Sequence, residues 1–155
     1  MIQRIQSLYL FLVALLTGLM FAFPIGSIVG DTEEVGITAC GFRDAATGEL
    51  MLNTYGMTAT IVVAALLAFV IIFLFRKRML QFRLCMVEIV LQAGILVFEI
   101  YYLWGASRIA GGFDVSAVSV GVSALFPLLS IILTLLAIRG IMKDIRLLKS
   151  LDRIR

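Results

Sequence analysis

Four long apolar blocks, interrupted by one polar stretch and two charged segments, make up the pattern of this chain. The first runs from about Ile5 to Phe23, which at 1.5 Å per residue is a helix of about 28 Å, close to the roughly 30 Å of bilayer hydrocarbon. Pro24 closes it. The second, about 57–75, contains the β-branched Ile61, Val62, Val63, Val70, Ile71 and Ile72, but its length and lack of charge predict a membrane helix. The third, about 84–103, ends in Tyr101, Tyr102 and Trp104, rings that favour the headgroup level. The fourth, about 118–138, carries Pro127 in its outer half, where a kink is expected. Small residues at Ala14, Gly18 and Ala22 predict one groove for close helix packing, and Ala64 and Ala68 a second.

The polar stretch 24–56 has the opposite character. It holds Asp31, Glu33, Glu34, Asp44 and Glu49 against a single Arg43. A loop of that length is expected to carry structure of its own. Residues 35–42 and 49–55 read as strands around the turn-forming Asp44, Ala45, Ala46, Thr47 and Gly48, a β-hairpin to which 113–120 adds a third strand. After Arg139, Ile138, Ile141, Ile145, Leu148 and Leu151 continue one helical face, predicting an amphipathic helix that extends the fourth block or lies in the headgroup plane. The fold class predicted is therefore all-α and integral to a membrane. It is a single domain over 1–155, a bundle of four transmembrane helices with a small extracytoplasmic β-hairpin or three-stranded element and a C-terminal cytoplasmic amphipathic helix.

Charge supplies an orientation. Basic side chains beside membrane helices stay on the cytoplasmic side. Placing Arg4, the turn 76–83 and the tail 139–155 inside puts eleven of the thirteen Lys and Arg in the cytoplasm, leaving Arg43 and Arg108 outside. Both termini are then cytoplasmic. Arg4, Arg76, Lys77, Arg78, Arg83, Arg139, Lys143, Arg146 and Lys149 become membrane-surface anchors. The net charge of +3 is carried at the ends of apolar blocks, so it points to the lipid bilayer as partner and away from nucleic acid. With 62% hydrophobic and 15% charged residues, the composition exceeds what one water-soluble core holds. The first block is longer than the apolar region of about 7 to 15 residues usual in a signal peptide, and no A-x-A-like site follows, so it reads as uncleaved.

Candidate chemistry is sparse. The chain has no histidine, and its two cysteines, Cys40 and Cys85, have no metal or redox spacing and fall a membrane thickness apart. No nucleophile elbow, phosphate-cradling glycine loop or H-E-x-x-H is present, so no catalytic residue, cofactor or metal site is expected. One constellation stands out: Glu88, Gln92 and Glu99 share a face of the third helix, a candidate intramembrane polar face. As structure, that face lines a helix seam, with Glu88 paired to Arg83, Arg76 or Arg139. As function, it handles protons or cations.

The opening Met1-Ile2-Gln3-Arg4-Ile5-Gln6-Ser7-Leu8-Tyr9-Leu10, the middle Leu80-Gln81-Phe82-Arg83-Leu84-Cys85 and the ending from Leu136-Ala137-Ile138-Arg139-Gly140-Ile141 to Asp152-Arg153-Ile154-Arg155 resemble a family of small bacterial membrane proteins, domain of unknown function 4293. The resemblance implies four spans in a bacterial inner membrane and brings no substrate, cofactor or catalytic residue. The reading is then a multi-pass protein of unknown biochemical function, a non-enzymatic accessory or scaffold protein with a protein partner at its outer loop or tail. A small proton- or cation-handling transporter or channel component is the alternative.

Overall fold

The computed structural model describes the backbone of residues 2–30, 34–75, 77–109 and 115–152, and the side chains of 5–29, 34–75, 77–105 and 117–147. Helices α1 (Ile2–Leu19), α2 (Tyr55–Phe73), α3 (Arg78–Ile109) and α4 (Phe126–Asp152) form a bundle. Around it α1 packs on α2 and α4, and α3 on the same two, so α1 and α3 face each other across the bundle axis. Strands β1 (Gly26–Gly30), β2 (Glu34–Thr38), β3 (Gly41–Asp44), β4 (Leu50–Asn53) and β5 (Val115–Val120) form one sheet in the order β4-β3-β2-β1-β5, antiparallel throughout.

The sheet sits on one end of the bundle because alternate strand residues are apolar on one face. Ile28, Val35, Ile37 and Phe42 bury against Met20, Ile25, Met57, Ile61 and Ile95, with Phe98, Tyr102 and Phe126 packed around them. At the basic end, Leu10, Ile71, Cys85, Ala137 and Ile141 fill the interior.

Two features of the predicted fold class are overturned. The chain is not all-α: a five-stranded antiparallel sheet stands where a hairpin or three strands were expected. Strand β1 was missed because five residues rich in glycine, Gly26-Ser27-Ile28-Val29-Gly30, give almost no alternation. The stretch 35–42 is two strands, since the chain reverses at Ala39-Cys40. The second correction concerns the count of spans. Among the described residues three helices are long and apolar enough to cross a membrane, within Tyr55–Phe73, Arg78–Gly105 and Val122–Leu147, whereas the apolar stretch Ile5–Leu19 of α1 is shorter. Its helix stops four residues before the predicted end, in a turn at Met20–Ala22 that feeds β1.

Other boundaries move for local reasons. Most of the basic turn is helical, because Arg78 already opens α3 and leaves only a short link after Leu74. Val118–Val120 lie in β5 and Val122–Leu125 form a 3-10 turn, so Pro127 is the second residue of α4. There, in the first turn, its missing N–H is no loss. Gly18 and Ala22 are exposed, and α1 buries Gln6, Leu10, Val13 and Thr17 instead, while Ala64 and Ala68 are fully buried. The tail is the continuation of α4 to Asp152. Phe113 and Asp114 of the expected third strand lie outside the described residues.

The β3–β4 hairpin does turn where the sequence predicts. Asp44 accepts hydrogen bonds from the Ala46 N–H at 2.9 Å and the Thr47 hydroxyl at 2.8 Å, which hold its carboxyl below the usual range. Two glycines here separate strain from contact. At Gly48, with φ 71°, a Cβ would meet open space, but at Gly41, with φ 151°, it would press on the Leu52 carbonyl of β4. Gly48→Ala is expected to lower unfolding stability by about 1 kcal/mol, and Gly41→Ala by about 2 kcal/mol or more, in thermal melts of detergent-solubilised protein.

Candidate functional site

Helix α3 turns its polar face inward because Val90, Val97 and Ile100 occupy the outward one. Glu88 and Gln92 are 0% exposed and Glu99 is 3% exposed. From α1, Thr17 donates its hydroxyl proton to the Val13 carbonyl at 2.8 Å, leaving its oxygen free to accept. Gln92 supplies that bond, donating from Nε2 to Thr17 Oγ1 at 2.8 Å and to Glu88 Oε1 at 2.8 Å. Since α1 and α3 are opposite each other, the Gln92–Thr17 bond crosses the bundle axis.

Helix α4 contributes Ser130 and Thr134, both fully buried, with Thr134 donating to the Ser130 carbonyl at 2.8 Å. Their depth follows from an ion pair at the basic end, Arg78 to Asp144 at 2.9 Å, which sets α3 against α4. Counting equal steps along the two antiparallel helices puts Thr134 at the depth of Glu88 and Ser130 at that of Gln92, about 15 and 21 Å in from the pair. Facing them, α2 buries only Ile61, Ala64 and Ala68 at this depth. Among the described residues, Glu88 Oε2, Gln92 Oε1 and Ser130 Oγ have no hydrogen-bond partner. Glu99, whose Oε1 is likewise unpartnered, lies about 16 Å beyond Glu88 toward the sheet. The predicted face is thus two layers: Glu88 with Gln92 on the axis, and Glu99 apart.

Glu88 does not pair with Arg83 or Arg139. Gln92 occupies one of its oxygens, Arg83 and Arg139 are exposed, and Arg76 lies outside the described residues. The acid that serves the basic end is Asp144, nearly buried, which accepts from Arg78 and from Gln6 Nε2 at 3.1 Å and so ties α1, α3 and α4 together. Gly140 lets Gln6 approach, since a Cβ there would meet the Gln6 side chain at 2.9 Å. Sequence reasoning missed Gln6, Thr17, Ser130, Thr134 and Asp144. For Asp144 a signal existed, because it follows Ile141 by three residues on the apolar stripe of α4.

Of the other anchors, Lys77, Lys143 and Arg146 are exposed, while the side chains of Arg4 and Lys149 lie outside the described residues. Ile138, Arg139, Met142, Lys143 and Arg146 line an open groove of about 440 Å³ along α4. Among the described residues no three His, Cys, Asp or Glu side chains converge as a metal site would require. Cys40 is exposed near the sheet and Cys85 buried near the basic end, and both are free.

A family model described as Domain of unknown function (DUF4293) matches residues 2–154. No curated protein and no solved structure matches the chain.

Asp144→Ala leaves Arg78 and Gln6 without their acceptor. It is expected to cost about 2 kcal/mol of unfolding stability, discounted from the buried-pair range because Arg78 is partly exposed. In a double-mutant cycle, Arg78→Ala on that background should add little.

Proposed function

Because the chain belongs to the family described as Domain of unknown function (DUF4293), we propose that it is a non-enzymatic accessory or scaffold protein of a bacterial inner membrane. It is a membrane protein by its three long apolar helices. In this reading the Arg78–Asp144 end faces the cytoplasm and the sheet faces outward. Support for the orientation comes from the clustering of exposed Lys77, Arg83, Arg139, Lys143 and Arg146 at one end, and from Trp104, 86% exposed, toward the other. Helix α1, with a shorter apolar stretch than the other three, still runs from the basic end to the sheet, and α4 ends on the basic side, so this reading puts both termini in the cytoplasm.

The observation that carries the scaffold reading is the edge of the sheet formed by β4, opposite the β5 edge. Strand β4 is the last in the order, and its Leu50, Met51 and Leu52 are all exposed. An edge of this kind presents unpaired backbone groups to an extended partner segment, with apolar side chains to seat it. The basic tail is a second contact surface for a protein partner. The buried Glu88–Gln92 layer favours the other reading, a small proton- or cation-handling transporter or channel component.

Three measurements test these statements. A membrane-impermeant maleimide is expected to label Cys40 in intact cells and to spare Lys143→Cys in a Cys40→Ser background until the cells are permeabilised; the reverse pattern inverts the orientation. A photo-crosslinking residue at position 51 should yield a protein adduct that Leu50→Pro abolishes, while one at the lipid-facing position 69 should not; equal yields at both remove the edge-strand partner. Proton or cation flux in proteoliposomes, lost on Glu88→Gln and Glu99→Gln, would replace the scaffold by the transporter.

A further inference from the structure

The layer on the bundle axis is short of positive charge. Thr17 and Thr134 each spend their one hydroxyl proton on a carbonyl of their own helix, and Gln92 spends both amide hydrogens on Thr17 and Glu88. What remains is acceptor capacity: Glu88 Oε2, Gln92 Oε1 and the lone pairs of Thr134. Ser130 alone keeps an uncommitted proton. A water molecule could bridge two of these oxygens, but it would leave a carboxylate uncompensated in an apolar interior, which is prohibitively unfavourable.

Among the described residues no side chain nearby supplies the charge. Helix α1 has no charged residue from Ile5 to Leu19, only Tyr9 that titrates; α2 has none from Tyr55 to Phe73, where Tyr55 at the sheet end is exposed; α4 has none from Phe126 to Ile138. On α3 itself, the titratable neighbours are Cys85, one turn toward the basic end, Arg83, about 8 Å along the helix with its side chain exposed, and Glu99, about 16 Å away; Arg139 of α4, level with Arg83, is exposed as well. One negative charge set among neutral amide and hydroxyl oxygens matches one positive charge. A divalent ion would leave an excess.

We infer that Thr17, Glu88, Gln92, Ser130 and Thr134 form a binding site for a single monovalent cation, either a proton carried on the Glu88 carboxyl or a dehydrated sodium ion. As a proton, it sits on Glu88 Oε2 and gives that oxygen a hydrogen to donate. As sodium, it draws on the Glu88, Gln92 and hydroxyl oxygens, hard ligands suited to an alkali ion. The site belongs to the bundle and does not depend on any partner at the sheet.

The test uses the purified full chain in detergent with dicyclohexylcarbodiimide, which reacts only with a protonated carboxyl. The carboxyl oxygen bonds to the carbodiimide carbon, the proton passes to its nitrogen, and the adduct rearranges to an N-acylurea with nothing released. In sodium-free choline chloride, peptide mass spectrometry is expected to find the adduct on Glu88. If sodium is the natural occupant, 100 mM sodium chloride slows the labelling roughly tenfold by mass action; if the proton is, the rate does not change. An unmodified Glu88 in the sodium-free buffer overturns the inference. Glu88→Gln supplies a second reading, because its amide carries the neutral shape and needs no cation. It should keep its melting temperature in both salts, and a fall of more than about 5 °C would mean that the carboxylate charge has another partner.

Discussion

The ion pair between Arg78 and Asp144, with Gln6 as its third member, is the joint on which the bundle depends. It sets the axial register of three helices at once. Neighbouring apolar surfaces in lipid gain little by meeting, since hydrocarbon tails are as apolar as Leu or Ile. Packing alone therefore leaves sliding cheap, and a polar joint makes it dear. Shifting α4 by one residue against α3 would separate Asp144 from Arg78 and also move Ser130 and Thr134 away from the depth of Glu88 and Gln92.

At the opposite end the sheet does the same work with backbone hydrogen bonds. The α1–α2 connection supplies β1 to β4, the α3–α4 connection supplies β5, and the β1–β5 pairing joins the two. Gly121 marks how close the connections run: its N–H bonds the Ile25 carbonyl at 2.7 Å, and a Cβ there would press on the Pro24 carbonyl. Ser123 adds a side-chain bond to the same carbonyl at 2.7 Å. Two helical hairpins are thus fastened at both ends, by the Gln6–Asp144 hydrogen bond at one and by a shared sheet at the other, with the Gln92–Thr17 bond between.

Much of this was legible in the residues, and the rest was not for identifiable reasons. Length and apolarity announced α2, α3 and the membrane-buried part of α4, since a run such as Met57–Phe75 has few other uses. The hairpin turn at Asp44–Gly48 was legible from its local chemistry. Strand β1 was not, because a short glycine-bounded stretch becomes a strand only when β2 and β5 are beside it. The polar face of α3 was visible from spacing, yet its partners were not: Thr17, Ser130 and Thr134 are unremarkable on their own helices and meet only once the register is known. The same holds for Asp144, which looks like one more charge of a basic tail until Arg78 and Gln6 come within bonding distance.

The pairing of Gly26 with Val120 joins residues more than ninety positions apart. A ribosome therefore releases β1 long before the strand that completes its edge exists, and α2 and α3 must both be synthesised in between. Until β5 arrives, β1 has an open flank on the side away from β2, so the nascent chain passes through a stage in which that flank is free to pair with whatever strand is near. Completion of the sheet is thus a late event in biogenesis, and the order of synthesis itself delays the moment at which the two halves lock.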